Sequence, residues 1–282
     1  MFTFWKSRSE GAFRKFKFIG CEIVYREACA LAAACPHRVD VEFLLKGLHD
    51  LPREDMLKKI QASVDAVTPE AGYEAVLLGY ARCNDGLVGL RARQIPLVIP
   101  RAHDCITFFF GSRAAYRSYF DDHPGTYYMT TGWTERNQFG EDGYSRPAYG
   151  MEGVMARLGL TESYEVMVSK YGKDNADFIV ESLGGWQKSY SRSLYLEMGV
   201  CDEAPFIAFA RERAAREKWD FEVRKGEWGL LQKLFDGRWD EDFVIVPPGA
   251  AIAARNDDGV LDVDPAPPAP AAAPDGPGDS GG

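Results

Sequence analysis

Two apolar runs, Tyr73–Leu78 and Ile95–Pro100, constrain this chain more than any other feature. Each has the length and composition of a strand buried on both faces, which is how strands of a parallel sheet read. Each breaks off into a short polar stretch: Gly79-Tyr80-Ala81-Arg82-Cys83-Asn84-Asp85-Gly86 after the first and Arg101-Ala102-His103-Asp104-Cys105 after the second. An earlier run, Phe16–Gly20, ends in the same way on Cys21. In an open α/β sheet, ligands bind in the crevice outside the carboxyl ends of the strands. Cys21, Cys83, His103 and Cys105 are therefore expected at one sheet edge, and they are the donor types a soft metal selects.

The rest of the chain alternates in the manner of an α/β fold, with a mostly parallel sheet, helices on both faces and the site at the C-terminal strand edge. Patterning predicts a strand over Lys15–Ile23, a helix over Tyr25–Ala34 stopped by Pro36, and an amphipathic region over Val41–Leu51. A helix follows from Pro52 to about Val67, with Pro and acids in its first turn. Ile106–Tyr119 reads as a helix whose N-terminus lies beside Cys105, where its dipole favours a thiolate. Gly125–Thr131 alternates as a strand, and residues 132–150 form a polar, aromatic loop of the length used for lids. Helices are expected over Met151–Leu158, Thr161–Tyr171, Trp186–Met198, Ala204–Lys218 and Trp228–Phe235, and strands over Ala176–Val180, Asp220–Arg224 and Asp242–Val246. Residues 1–15 read as a flexible lead-in, 16–250 as one α/β domain, and 251–282 as a disordered Pro/Ala/Asp/Gly tail.

Charge and cysteine usage narrow the function classes. The net charge is −9, but six acids (Asp257, Asp258, Asp262, Asp264, Asp275 and Asp279) lie beyond residue 255 with no Lys or Arg among them. The remainder is close to balanced and shows no basic stripe, so nucleic acid is not an expected partner. No apolar stretch is long enough to span a bilayer, and the N-terminus lacks the apolar core of a signal peptide. Six cysteines in 282 residues are too few for a disulfide scaffold, so reduced thiols and a cytoplasmic location are expected.

The chemistry concentrates on the thiols. Cys83, His103 and Cys105 form a Cys₂His set suited to catalytic zinc with an open fourth position, and Cys21 can supply a fourth ligand. The competing reading is packing, because free cysteine is among the most buried residue types. Glu27, one helical turn past the first strand, and Tyr80 are candidates for proton handling. Asn84 and Arg101 are candidates for holding a cofactor or substrate, the latter through bidentate hydrogen bonds. Cys105 as a metal-free nucleophile is a further reading. No phosphate-binding loop, dinucleotide fingerprint or serine nucleophile elbow is present.

The same residues carry a resemblance. Gly20-Cys21 with Glu27, Cys35-Pro36-His37, Leu78–Gly86, Pro100–Ile106, Gly111-Ser112, Gly125–Tyr128, Gly132-Trp133 and the Phe243–Gly249 pattern together resemble the family catalogued as domain of unknown function 1638. The resemblance implies an association with corrinoid-dependent methyltransferase systems. His103-x-Cys105 with a further Cys is also similar to the zinc site of thiol-methylating enzymes, although here the extra Cys precedes the pair. Together these imply a zinc-dependent protein in methyl or other one-carbon group transfer, with a thiol, small-molecule or corrinoid-protein substrate. The alternative is an accessory module with a structural zinc or iron–sulfur cluster that serves a methyltransferase partner.

Overall fold

The structure, a computed structural model, describes residues 13–83, 85–136, 168–169, 172–173, 175 and 189–265. Its central sheet contains β1 (Lys15–Cys21), β2 (Arg38–Leu44), β3 (Ala75–Gly79), β4 (Leu97–Pro100) and β8 (Phe243–Val246). They lie in the order β2-β1-β3-β4-β8, the first four parallel and β8 antiparallel to β4. Every residue of β3 and β4 is buried, which is why both appear in the sequence as unbroken apolar runs.

Side chains alternate across this sheet and divide its packing in two. Phe16 and Phe18 face Ala28 and Leu31 of α1 (Tyr25–Ala34) and Leu230 and Leu234 of α7 (Gly229–Phe235). Ile19, Val76 and Leu78 face Met56, Ile60 and Val64 of α2 (Arg53–Asp65). The period of two along the strands meets the i, i+4, i+8 stripe of α2, so helices cover both faces.

A second, three-stranded parallel sheet contains β5 (Thr126–Met129), β6 (Arg192–Glu197) and β7 (Asp220–Lys225), in the order β5-β6-β7. α6 (Ala204–Glu217) crosses from β6 to β7. The two sheets meet where α5 (Thr131–Glu135), directly after β5, packs on residues 22–24, directly after β1. Only glycine fits that crossing. A Cβ on Gly132 would lie 1.8 Å from the Ile23 carbonyl oxygen.

Several sequence expectations are corrected. The amphipathic region is divided: Val41–Leu44 are the end of strand β2, and residues 46–50 form a short helical turn. The helix expected over Ile106–Tyr119 breaks into α3 (Ile106–Phe109) and α4 (Arg113–Asp122). Gly111 makes the break at φ +70°, and the Ser112 side chain caps the second piece by accepting from the Ala115 N–H. The segment predicted as a helix over Trp186–Met198 contains β6 instead, since Leu194, Tyr195 and Leu196 are buried between neighbours on both sides.

The chain expected to become a disordered tail at 251 first forms a hairpin, β9 (Ala251–Ala254) with β10 (Leu261–Asp264). Ile252, Val260 and Leu261 bury themselves against the α2 side of the central sheet. The lid-like segment begins as α5, and its remainder from 137 lies outside the described residues. So do Met151–Leu158, Ala176–Val180 and most of Thr161–Tyr171. Among the described residues no helix is long and apolar enough to cross a membrane.

Candidate functional site

The parallel order places β1, β3 and β4 side by side, so Cys21, Cys83 and Cys105 leave adjacent strand ends. Pairing continues past the ends of β3 and β4. Arg82 N–H donates to the Ala102 carbonyl at 2.9 Å and Cys83 N–H to the His103 carbonyl at 3.1 Å, which holds the two motifs in register. Gly20 and Gly79 are register partners just before this edge, and the Phe18 ring lies across both. A Cβ on either would meet that ring at 2.5 Å or less. These glycines let the aromatic core approach the floor of the site.

The Cys83 and Cys105 thiols are hydrogen-bonded to each other. That bond, with the N–H groups of Cys105 and Ala81, holds the Cys83 thiol below its ordinary pKa despite burial. Cys105 is pushed well above its ordinary value by the same bond and then by burial. Cys21 stands near enough for its charge to act on Cys105; burial pushes its own thiol up to about 12, opposed by a hydrogen bond from the Ile23 backbone. The sequence expectation that a helix N-terminus favours a thiolate at Cys105 is corrected here: α3 is a single turn, and the Cys105 thiol lies above its ordinary pKa while that of Cys83 lies below.

These thiols lie on one side of a cleft of about 540 Å³. Tyr80 belongs to the same floor: it is 4% exposed, and its hydroxyl has no hydrogen-bond partner. Burial, followed by the Cys21 and Cys83 charges, raises its pKa well above the usual tyrosine value. His103 lines the cleft and is exposed, and its neighbour Asp104 is half-buried. Burial raises the Asp104 carboxyl, opposed by hydrogen bonds from the Tyr116 hydroxyl at 2.7 Å and the Ile106 N–H at 3.0 Å.

The rest of the wall comes from the second sheet and its helices, through Tyr127, Tyr128, Trp133 and Tyr190, with Tyr116 and Phe120 from α4. Lys46 closes one flank, donating from Nζ to the Trp133 carbonyl at 3.0 Å. Sequence reasoning did not select these aromatic residues. For all but Tyr190 the signal is their density between positions 116 and 133, which a strand or a core explains equally well.

The remaining expected site residues are placed elsewhere. Glu27 does not line the cleft: it is 0% exposed on α1, neither carboxylate oxygen has a hydrogen-bond partner, and its charged neighbours are Glu203, Glu135 and Arg26. Burial pushes its carboxyl up to about 7. Arg101 is committed to the hairpin, donating to the carbonyls of Gly259 and Leu261. Asn84 lies outside the described residues. Cys35 and His37 are fastened to the end of α7, through the Phe235 and Asp236 carbonyls. All six cysteines are free thiols. Among the described residues no group of three or more His, Cys, Asp or Glu is placed so that it could hold a metal ion. The cleft does bring soft donors to one floor: the neighbouring Cys83 and Cys105 thiols, Cys21 beside them and the unpartnered buried Tyr80 hydroxyl.

A family model described as "Protein of unknown function (DUF1638)" matches residues 43–235, more than half of the chain. No curated protein matches the chain, and no solved structure does.

Proposed function

The chain belongs to the DUF1638 family, and from that membership and the chemistry of its cleft we propose a thiolate-centred group-transfer protein, acting in methyl or other one-carbon transfer with zinc as its metal. The carrying observation is the convergence of Cys21, Cys83 and Cys105, from three adjacent strand ends, on the floor of an aromatic-walled cleft. Cys83 and Cys105 would hold the ion in place of their thiol protons, with Cys21 and His103 as further donors. Bound zinc keeps a substrate thiol deprotonated at neutral pH and so makes it a nucleophile.

The chain's own residues do the rest. Tyr80 offers a hydroxyl proton beside the sulfurs, and the aromatic wall excludes water from the reacting groups. A small thiol or a corrinoid protein would supply or receive the one-carbon unit, in a reducing compartment such as the cytoplasm.

Elemental analysis of wild type, Cys83→Ser and His103→Ala tests this reading. One zinc per chain in wild type, lost in Cys83→Ser, is the expected result. Iron with acid-labile sulfide would transfer the site to the iron–sulfur, accessory reading. Wild type without metal would remove the zinc centre. A second reading then takes over, favoured by the lowered Cys83 thiol: a metal-free enzyme with Cys83 as nucleophile and Cys105 as its proton donor.

A further inference from the structure

The wall facing the thiols has a chemistry that a metal centre alone does not require. Tyr116 stands edge to face with Phe120 and with Tyr128, at centroid separations of 6.0 and 5.7 Å. At the foot of these rings Asp104 is held by the Tyr116 hydroxyl at 2.7 Å and the Ile106 N–H at 3.0 Å, so a carboxylate is fixed against an aromatic surface. Elsewhere on the cleft, rings already meet cations. Lys46 Nζ lies 4.5 Å from the centre of the Trp133 ring, and the Arg213 guanidinium lies 4.8 Å from that of Tyr127. The negative faces of aromatic rings attract such charges, most strongly where water is excluded.

We propose that Tyr116, Phe120, Tyr128 and Asp104 form a subsite for a quaternary ammonium group, the charged part of the molecule on which the cleft acts. The inference rests on the cleft being the site described under Proposed function, and it adds the class of ligand. A primary ammonium carries three N–H donors that need acceptors, and apart from the Tyr128 hydroxyl the subsite offers mainly ring faces and Asp104 oxygens that each already accept one hydrogen bond. A quaternary ammonium has no donor to satisfy. Its methyl groups bury against the rings while its charge meets Asp104. A neutral apolar group would fill the same space but offer the half-buried Asp104 no opposite charge, and an anion would be disfavoured beside it.

Calorimetric titration of the full chain with choline and with its neutral carbon isostere, dimethylbutanol, tests the subsite. The expected result is one choline site per chain, with choline binding at least about tenfold more tightly than the isostere. Asp104→Asn and Tyr128→Leu should bring that ratio to within about twofold. Phe120→Leu, at a side chain 48% exposed, tolerates substitution and should lower the ratio even where Tyr128→Leu does not fold. Failure of choline to bind, or equal binding of the isostere, overturns the proposal. Metal content measured on the same samples separates the two readings. Wild type that lacks metal and still prefers choline upholds the subsite while removing the zinc centre; metal-loaded wild type with no preference overturns the subsite and leaves the centre.

Discussion

The hydrogen-bonding contact between the Cys83 and Cys105 thiols makes two neighbouring cysteines chemically unequal, lowering the pKa of Cys83 and raising that of Cys105. Cys83 is the more acidic because a thiolate there has a donor in Cys105 S–H and further donors in backbone N–H groups. In metal-free protein near pH 7, iodoacetamide should therefore modify Cys83 before Cys105. Cys105→Ala removes the donor, so Cys83 should then titrate higher and react several-fold more slowly at that pH. Mass-spectrometric mapping of the modified peptides over time checks this. Equal rates at the two cysteines in wild type would refute the assignment.

Glu27 predicts how stability varies with pH. Its carboxyl titrates near 7 in the folded protein and near 4.5 when unfolded, because burial disfavours the charged form. Below pH 4.5 both states are protonated and the group contributes no penalty. As pH rises from there towards 7, the unfolded state loses its proton first, so wild type is progressively destabilised. By pH 8 the penalty reaches about 3 kcal/mol. Glu27→Gln keeps the neutral shape and should be more stable than wild type by about that amount at pH 8, with the difference vanishing near pH 4. Urea unfolding at the two pH values reads it directly. A difference independent of pH would mean that Glu27 is not held protonated.

Gly132 predicts the sensitivity of the junction between the sheets. A methyl group there would be 1.8 Å from the Ile23 carbonyl oxygen, and backbone cannot rotate away as a side chain can. Gly132→Ala should cost roughly 3 kcal/mol or more, beyond ordinary overpacking. The Ile23 backbone is also hydrogen-bonded to Cys21, so the displacement should change the alkylation rate of Cys21 as well. A folded Gly132→Ala protein with wild-type stability would show that α5 does not rest on residues 22–24.

The sequence made the floor of the site legible and left its wall hidden, for a physical reason. Cys21, Cys83, His103 and Cys105 announce themselves because they directly follow buried strands, and parallel order brings consecutive strand ends together. Tyr128 and Trp133 carry no such signal. They reach the cleft only because α5 docks a second sheet on the first through Gly132, a long-range event that no local pattern encodes. β2 was obscured because its residues are at most partly buried, which blurs the alternation, and Leu44 at its end imitates a helical stripe with Leu45 and Leu48 beyond it. The hairpin from 251 was obscured by composition. Few apolar side chains anchor it, and the surrounding Ala, Asp and Gly read as tail.

Arg101 provides the test that separates scaffold from site. Position alone, immediately after β4 and two residues before His103, made it a candidate clamp for a cofactor or substrate. Its guanidinium instead donates to the Gly259 and Leu261 carbonyls, where β10 begins. Arg101→Ala leaves those half-buried carbonyls without their charged donor, so a loss of about 1–3 kcal/mol is expected. The loss should fall on the hairpin. Limited proteolysis should cut Arg101→Ala between residues 255 and 261 faster than wild type, while Cys83 reactivity and metal content remain those of wild type. If metal content or Cys83 reactivity falls while the hairpin keeps its protease resistance, Arg101 acts on the cleft, and its placement on the hairpin is not what matters for function.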